Sequence, residues 1–293
     1  MKMRQQLVQT VESVMAADER LAVLLGDIGV FGFRNAFKTH PQRIYNIGIL
    51  EQSTVSMAAG LASVGFIPVV HTIAPFLIER SLEQLKIDFC YQQLGGNFIS
   101  VGASYDYSAL GCTHHAPGDV GILNQLPGME IVLPGTSQEF DRLFRQSYAN
   151  GHPTYFRLSE RNNSKEFQVE FGKASVVQKG TRLTLIAVGS ALQPVLEAAE
   201  GLDVTTLYYT TVKPFDAETL RAHLSTSKVL ICEPYYSGVV AAEVSKALFP
   251  TAITIDQIGV PSEFLTKYGQ PEDHDRIVGL TGKNIRERIE ALL

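Results

Sequence analysis

Three short stretches carry side chains whose types and spacing could do chemistry. In Tyr45-Asn46-Ile47-Gly48-Ile49-Leu50-Glu51-Gln52 a carboxylate follows an apolar run where a helix should begin. Partial loss of water strengthens a carboxylate's hold on its proton, which would let Glu51 share one with a ring nitrogen. A glutamate at a helix start also has a plainer use, complementing the positive end of the helix dipole, and on spacing alone that use is the commoner. In His71-Thr72-Ile73-Ala74-Pro75-Phe76-Leu77-Ile78-Glu79-Arg80 a strand ends at His71 and an aromatic comes just before a helix. Ligands of open α/β sheets sit beyond the carboxyl ends of the strands, so Phe76 could stack on a bound ring; a core phenylalanine is the alternative. In Gly111-Cys112-Thr113-His114-His115-Ala116-Pro117-Gly118-Asp119 paired histidines lie in a Gly/Pro-rich loop. Imidazoles there suit proton transfer near neutral pH, against the alternatives of a loop surface or a metal site. A metal is disfavoured because no third ligand stands at a usual spacing.

The elements that must hold these stretches follow from periodicity. Leu21–Leu25, Ile67–Val70, Phe98–Val101, Ile131–Leu133 and Thr154–Leu158 read as buried strands, with helix-length patterns between them at Ser53–Ala62, Leu77–Tyr91 and Gln138–Tyr148. Such alternation predicts a parallel sheet covered by helices on both faces. After Pro134-Gly135, Thr136 and Glu139 form a capping box that opens the next helix. The polar segment Ser159–Lys165 lacks apolar periodicity and reads as a linker. Beyond it, strands are expected at Leu183–Val188, Val204–Tyr208, Val229–Ile231 and Ala252–Ile255, and helices at Leu192–Glu200, Ala217–Leu224 and Val239–Leu248. The expectation is an α/β protein of two doubly wound domains, residues 1–165 and 166–293.

Composition narrows the function classes. The chain has 293 residues, 45% hydrophobic and 19% charged, a globular balance. A formal charge of −5 argues against nucleic acid, whose binders carry a basic face. No apolar run reaches the ~18–20 residues of a membrane span. Met1-Lys2-Met3-Arg4-Gln5-Gln6 leads into an amphipathic helix rather than the apolar centre of a signal peptide. Cys90, Cys112 and Cys232 are odd in number and far apart, which suits a reducing cytoplasm.

Taken in order, the stretches resemble the transketolase family over essentially the whole chain. Gly26-Asp27 resembles the family's early strand-end motif, Gly48-Ile49-Leu50-Glu51-Gln52 its catalytic-glutamate motif, and Ala58-Ala59-Gly60-Leu61-Ala62 the small-residue helix after it. Phe76 falls where the family stacks an aromatic on the aminopyrimidine of thiamine diphosphate, and Glu83-Gln84 continues the following helix motif. Gly111-Cys112-Thr113-His114 is similar to the family's Gly-Pro-Thr-His loop, and Leu126-Pro127-Gly128-Met129 with Val132-Leu133-Pro134 to its next strand. Gly259-Val260-Pro261 and Tyr268-Gly269 look like turns of its C-terminal domain. The resemblance implies a pyrimidine-binding domain followed by a transketolase C-terminal domain, and transfer of a two-carbon ketol unit between sugar-like substrates in a specialised pathway. It implies that Glu51 protonates the pyrimidine ring nitrogen, that His114 handles protons on substrate oxygens, and that Asp27, Ile28, Ile73 and Phe76 join Glu51 around the cofactor.

The same resemblance implies a partner. A complete transketolase has an N-terminal domain that holds the diphosphate through Mg2+ or a similar ion, signalled by Gly-Asp-Gly and a following Asn. No Gly-Asp-Gly occurs here, so a separate chain is expected to supply that domain and most of the metal's ligands, in an α2β2 assembly. Around the substrate the sequence departs from the family. Leu110 replaces an acidic residue and Glu160 a phosphate-binding arginine, with Arg161 adjacent; Gly102 replaces a histidine and Ile73 one of two cofactor-site aromatics. The expected substrate residues are Leu110, His114, His115, Glu160 and Arg161, with discrimination against simple ketose phosphates. One rival reading is the β subunit of a 2-oxo acid dehydrogenase or another pyruvate-using enzyme; a non-catalytic scaffold is the third. Thr113-His114 and the Glu83-Gln84 helix favour the transketolase branch.

Overall fold

Runs such as Leu21-Ala22-Val23-Leu24-Leu25 are apolar at every position because both faces of the strand are covered. In a computed structural model, which describes residues 1–293, β1 (Leu21–Leu25) joins five further strands in a parallel array: β2 (Ile44–Asn46), β3 (Ile67–Ile73), β4 (Gly96–Val101), β5 (Glu130–Val132) and β6 (Pro153–Arg157). A second sheet is built from β7 (Ala174–Gln178), β8 (Thr184–Val188), β9 (Thr205–Tyr209), β11 (Lys228–Tyr236) and β12 (Thr254–Val260), in the order β12-β11-β8-β9-β7. The intervening β10 (Thr211–Lys213) leaves that sheet and pairs antiparallel with β5, so the first sheet runs β10-β5-β6-β4-β3-β1-β2. Strand β7 is likewise antiparallel to its neighbour β9. The central strands follow the expected parallel pattern; the three-residue strands β2 and β10 and the antiparallel edge strand β7, whose residues are all only partly buried, were not among the expected strands.

Helices Met3–Ala17 and Ser137–Ser147 cover one face of the first sheet, burying Leu7, Val11, Phe140 and Phe144 against Val23, Val69, Ile99 and Phe156. Helix Glu51–Ser63 covers the other face, with Val55, Ala58 and Ala59 against Leu24, Val70 and Phe98. Of the small-residue stretch Met57–Ala62, Ala58 and Ala59 are thus used within the chain, while Met57 and Gly60 face outward. The apolar cluster on each face continues into the second sheet, through Leu185 and Tyr208 on one side and Ile186 and Leu207 on the other.

One expectation needs correcting. The single helix expected at Leu77–Tyr91 is broken into Ala74–Ile78, Leu82–Gln84 and a π-helical stretch, Leu85–Tyr91. The Ser81 hydroxyl donates to the Leu77 carbonyl at 2.5 Å, a local bond that competes with the helix ladder. The polar segment Ser159–Lys165 does connect the two sheets, and it is anchored rather than free: Asn163 is buried and its side chain donates to Gly189 O at 3.2 Å and accepts from Gln193 N at 3.2 Å. Its polarity pins the two halves together. No helix is long and apolar enough to cross a membrane.

Candidate active site

The carboxyl ends of β1 and β2 are tied by one side chain. Asn46 Oδ1 accepts from the Asp27 and Gly48 backbone N–H groups at 3.0 and 3.2 Å, and its amide donates to Asp27 Oδ1 at 3.3 Å. Gly48, at φ +82°, occupies the left-handed region that favours glycine, and turns the chain toward helix Glu51–Ser63. Glu51 is the first residue of that helix and only 2% exposed. Its Oε2 accepts from Arg80 Nη1 at 2.7 Å. Its Oε1 is buried and has no hydrogen-bond partner.

The other two stretches converge on the same place. Strand β3 delivers Ile73 and then Phe76, and the Arg80 guanidinium lies 4.3 Å above the Phe76 ring centroid. Arginine reaches that ring because residues four apart on a helical path are neighbours. His114 approaches from the 3-10 turn Cys112–His114, its ring edge-on to Phe76 at 5.3 Å and 71°. Glu51, Phe76 and His114 therefore meet, with Arg80 between Glu51 and Phe76. An unpartnered buried acceptor costs about 1–3 kcal/mol unless a donor meets it. A ring nitrogen that carries or shares a proton is such a donor, so the residues present fit an aminopyrimidine.

Asp27, at φ +66°, and Ile28 line an open cavity of about 830 Å³ at the end of β1, together with Val30, Phe37 and Lys38. Beside it lies a cavity of about 740 Å³ that holds Glu160, together with Lys2, Arg4, Arg34 and His71. The Gly102 position has no room for a histidine, since a Cβ there would come within 2.5 Å of the Tyr107 ring and 3.3 Å of Ile73 Cγ2. Leu110 is 53% exposed in the turn before Gly111.

The two remaining expected substrate residues are placed elsewhere. Arg161 is not free to swing toward a phosphate: its Nη1 donates to both Asp275 oxygens at 2.6 and 2.8 Å, and its guanidinium lies 5.0 Å over the Tyr105 ring. His115 is buried with neither ring nitrogen partnered, edge-on to His274 at 5.4 Å, and burial pushes its pKa down to about 4. Both residues serve the junction between the two halves. Arg80 and Arg4 were missed: Arg80 carries only the four-residue spacing from Phe76 as a signal, and Arg4 none, since only folding brings the first helix against the ends of β1 and β3.

His71 is 1% exposed, its Nδ1 donates to Ile99 O at 2.8 Å, and its Nε2 has no partner. Gly29, at φ +83°, lies against that ring edge, where a Cβ would come within 2.9 Å of Cδ2. Burial, helped by the charge on Arg4, pushes the His71 pKa from 6.5 down to about 4. The folded state then binds this proton less readily than the unfolded chain. Its contribution to stability is whole above pH 6.5 and is lost as pH falls toward 4, a span on the order of 3 kcal/mol. Urea midpoints at pH 7.5 and 4.5 should show wild type losing more stability on acidification than His71→Leu; equal losses would mean the ring charges freely in the fold.

A family model described as "Transketolase, pyrimidine binding domain" matches residues 1–165, and one described as "Transketolase, C-terminal domain" matches residues 172–285. The chain is 38% identical over 288 residues to an "Uncharacterized 33.6 kDa protein in fasciation locus" of Rhodococcoides fascians, covering 97% of this chain and 92% of that protein. It is 31% identical over 261 residues to one of the subunits of an apulose-4-phosphate transketolase of Phocaeicola vulgatus, covering 85% of this chain and 81% of that subunit. A solved structure described as "Split gene transketolase, inactive beta4 tetramer" superposes with a TM-score of 0.87 at 25% identity, covering 100% of this chain and 98% of that one.

Proposed function

The chain belongs to the transketolase family, as the subunit of a split enzyme that carries the pyrimidine-binding and C-terminal domains, and from that premise we propose which of its residues act. Thiamine diphosphate, on which the family depends, supplies when bound an electron sink that lets a carbon–carbon bond beside a carbonyl break. Glu51 holds a proton at Oε1 against the pyrimidine nitrogen. Phe76 offers the ring a flat apolar face, and Asp27, Ile28 and Ile73 complete that wall. His114, seated against Phe76, moves protons on the substrate's hydroxyl or carbonyl oxygen. The observation that carries this reading is the buried, unpartnered Oε1 of Glu51 beside Phe76 and His114.

The far end of the substrate enters the cavity of Lys2, Arg4, Arg34 and Glu160, where three cations face one carboxylate. An anionic end group suits that lining, and the similar protein from Phocaeicola vulgatus is named for a sugar phosphate. Residues 1–165 form the pyrimidine-binding unit and 166–293 the C-terminal unit. A partner of the N-terminal type holds the diphosphate and its Mg2+, in an α2β2 assembly with closed two-fold symmetry. The three unpaired cysteines suit a cytoplasmic setting.

The test is to copurify the tagged chain with its partner and supply thiamine diphosphate, Mg2+, a ketose donor and an aldehyde acceptor. An acceptor lengthened by two carbons is expected from the assembly and none from the chain alone. Pyruvate decarboxylation without ketol transfer would move the protein to the 2-oxo acid branch. An assembly that binds no thiamine diphosphate would make the chain a scaffold.

A further inference from the structure

Arg80 lies in the turn between helices Ala74–Ile78 and Leu82–Gln84, and its side chain is 41% exposed. Ion pairs open to solvent add little to stability. Yet this guanidinium reaches back to the nearly fully buried Glu51, the only carboxylate with which it pairs, and lies on the Phe76 ring at the same time. We infer that Arg80 is a positioning residue, fixing which oxygen of Glu51 and which orientation of Phe76 meet the cofactor's pyrimidine. The inference rests on the reading of Glu51 given above and extends it to a residue that acts through Glu51 and Phe76.

The physical case has three parts. The last torsion of a glutamate is broad and nearly two-fold, so an unanchored carboxylate presents either oxygen. With Oε2 held by Arg80 at 2.7 Å, Oε1 is the oxygen left over, and it is the one that is buried without a partner. Arginine stays protonated and has no acceptor, so a proton arriving at Glu51 settles on Oε1 rather than on the bonded oxygen. The guanidinium over one face of Phe76, with the His114 ring 5.3 Å away and inclined at 71°, holds the aromatic ring against rotation. Lysine could keep the charge on Oε2 but not the flat contact with the ring.

The test uses the copurified assembly saturated with thiamine diphosphate, in wild type, Arg80→Met, Arg80→Lys and Glu51→Gln. Three quantities are read: the cofactor's Kd by calorimetry, its C2 proton–deuteron exchange by quenched-flow NMR, and the nitrogen shift of 15N-labelled pyrimidine N1′. Arg80→Met is expected to slow exchange of the saturated complex tenfold or more and to shift the N1′ signal, with Kd changed less than threefold. Arg80→Lys should fall between Met and wild type, a graded rescue that a merely structural side chain would not give. Exchange and N1′ shift at wild-type values in both arginine variants, or a loss confined to Kd, overturns the positioning role while Glu51→Gln remains impaired. Wild-type exchange in Glu51→Gln itself overturns the underlying reading of Glu51 instead.

Discussion

Replacing Glu51 by glutamine is expected to leave folding and assembly intact while slowing C2 proton–deuteron exchange of the bound cofactor by roughly 10²–10⁴-fold, the usual worth of a positioned acid or base. The amide is close in shape and its oxygen can still accept from Arg80, so the contact at 2.7 Å survives. What is lost is the second oxygen. In the wild type Oε1 is a buried oxygen with no hydrogen-bond partner; in the variant an NH2 group stands there, which donates and cannot accept. The helix-start role of the same residue predicts a different outcome. If Glu51 only complemented the helix dipole, the variant would cost a few tenths of a kcal/mol, up to about 1, in stability and leave exchange untouched. Thermal unfolding and quenched-flow exchange on the same assembly separate the two, and wild-type exchange with lowered stability would return Glu51 to a structural role.

How far the sequence reaches is visible residue by residue. The buried strands β1, β3, β4 and β6 were legible because apolar runs with both faces covered have few other readings. Glu51, Phe76 and His114 lie far apart in sequence, yet the rule that sites form beyond the carboxyl ends of parallel strands already points Phe76 to the edge where the structure places all three. The capping box at Thr136 was legible too, with Glu139 accepting from the Thr136 backbone at 3.1 Å and Thr136 Oγ1 from Glu139 N at 3.2 Å. Its further bond, 2.8 Å from the Tyr208 hydroxyl in the other half, was not. Long-range polar pairings of this kind carry no periodicity. The same limit explains why the hold of Asp275 on Arg161, the bonds of Asn163 across the two halves and the pairing of Arg80 with Glu51 were not visible in the sequence.

The lining of the Glu160 cavity also changes what is expected of the substrate. From the sequence, a carboxylate in place of an arginine set the chain against simple ketose phosphates; in the structure Lys2, Arg4 and Arg34 share that cavity. Arg4→Gln is therefore expected to raise KM for a phosphorylated ketose roughly tenfold with little change in kcat. Hydrogen bonds to charged groups are worth about 1.5–3 kcal/mol where water is excluded, and exposure at a cavity mouth discounts that toward the lower end. Glu160→Gln should act oppositely, lowering KM for the phosphate several-fold, because removing one anion leaves the three cations unopposed. Neither variant should alter use of an uncharged ketose, since the Coulomb interaction is with the end group and not with the reacting carbonyl. The comparison is kcat/KM for a phosphorylated and an unphosphorylated ketose in wild type, Arg4→Gln and Glu160→Gln, at low and at moderate ionic strength. The phosphate-specific effects should shrink as salt is added. Equal losses on both substrates in Arg4→Gln would mean that the cavity shapes the fold rather than reads charge. A phosphate KM that rises in Glu160→Gln would mean that the carboxylate instead holds a cation in place for the ligand.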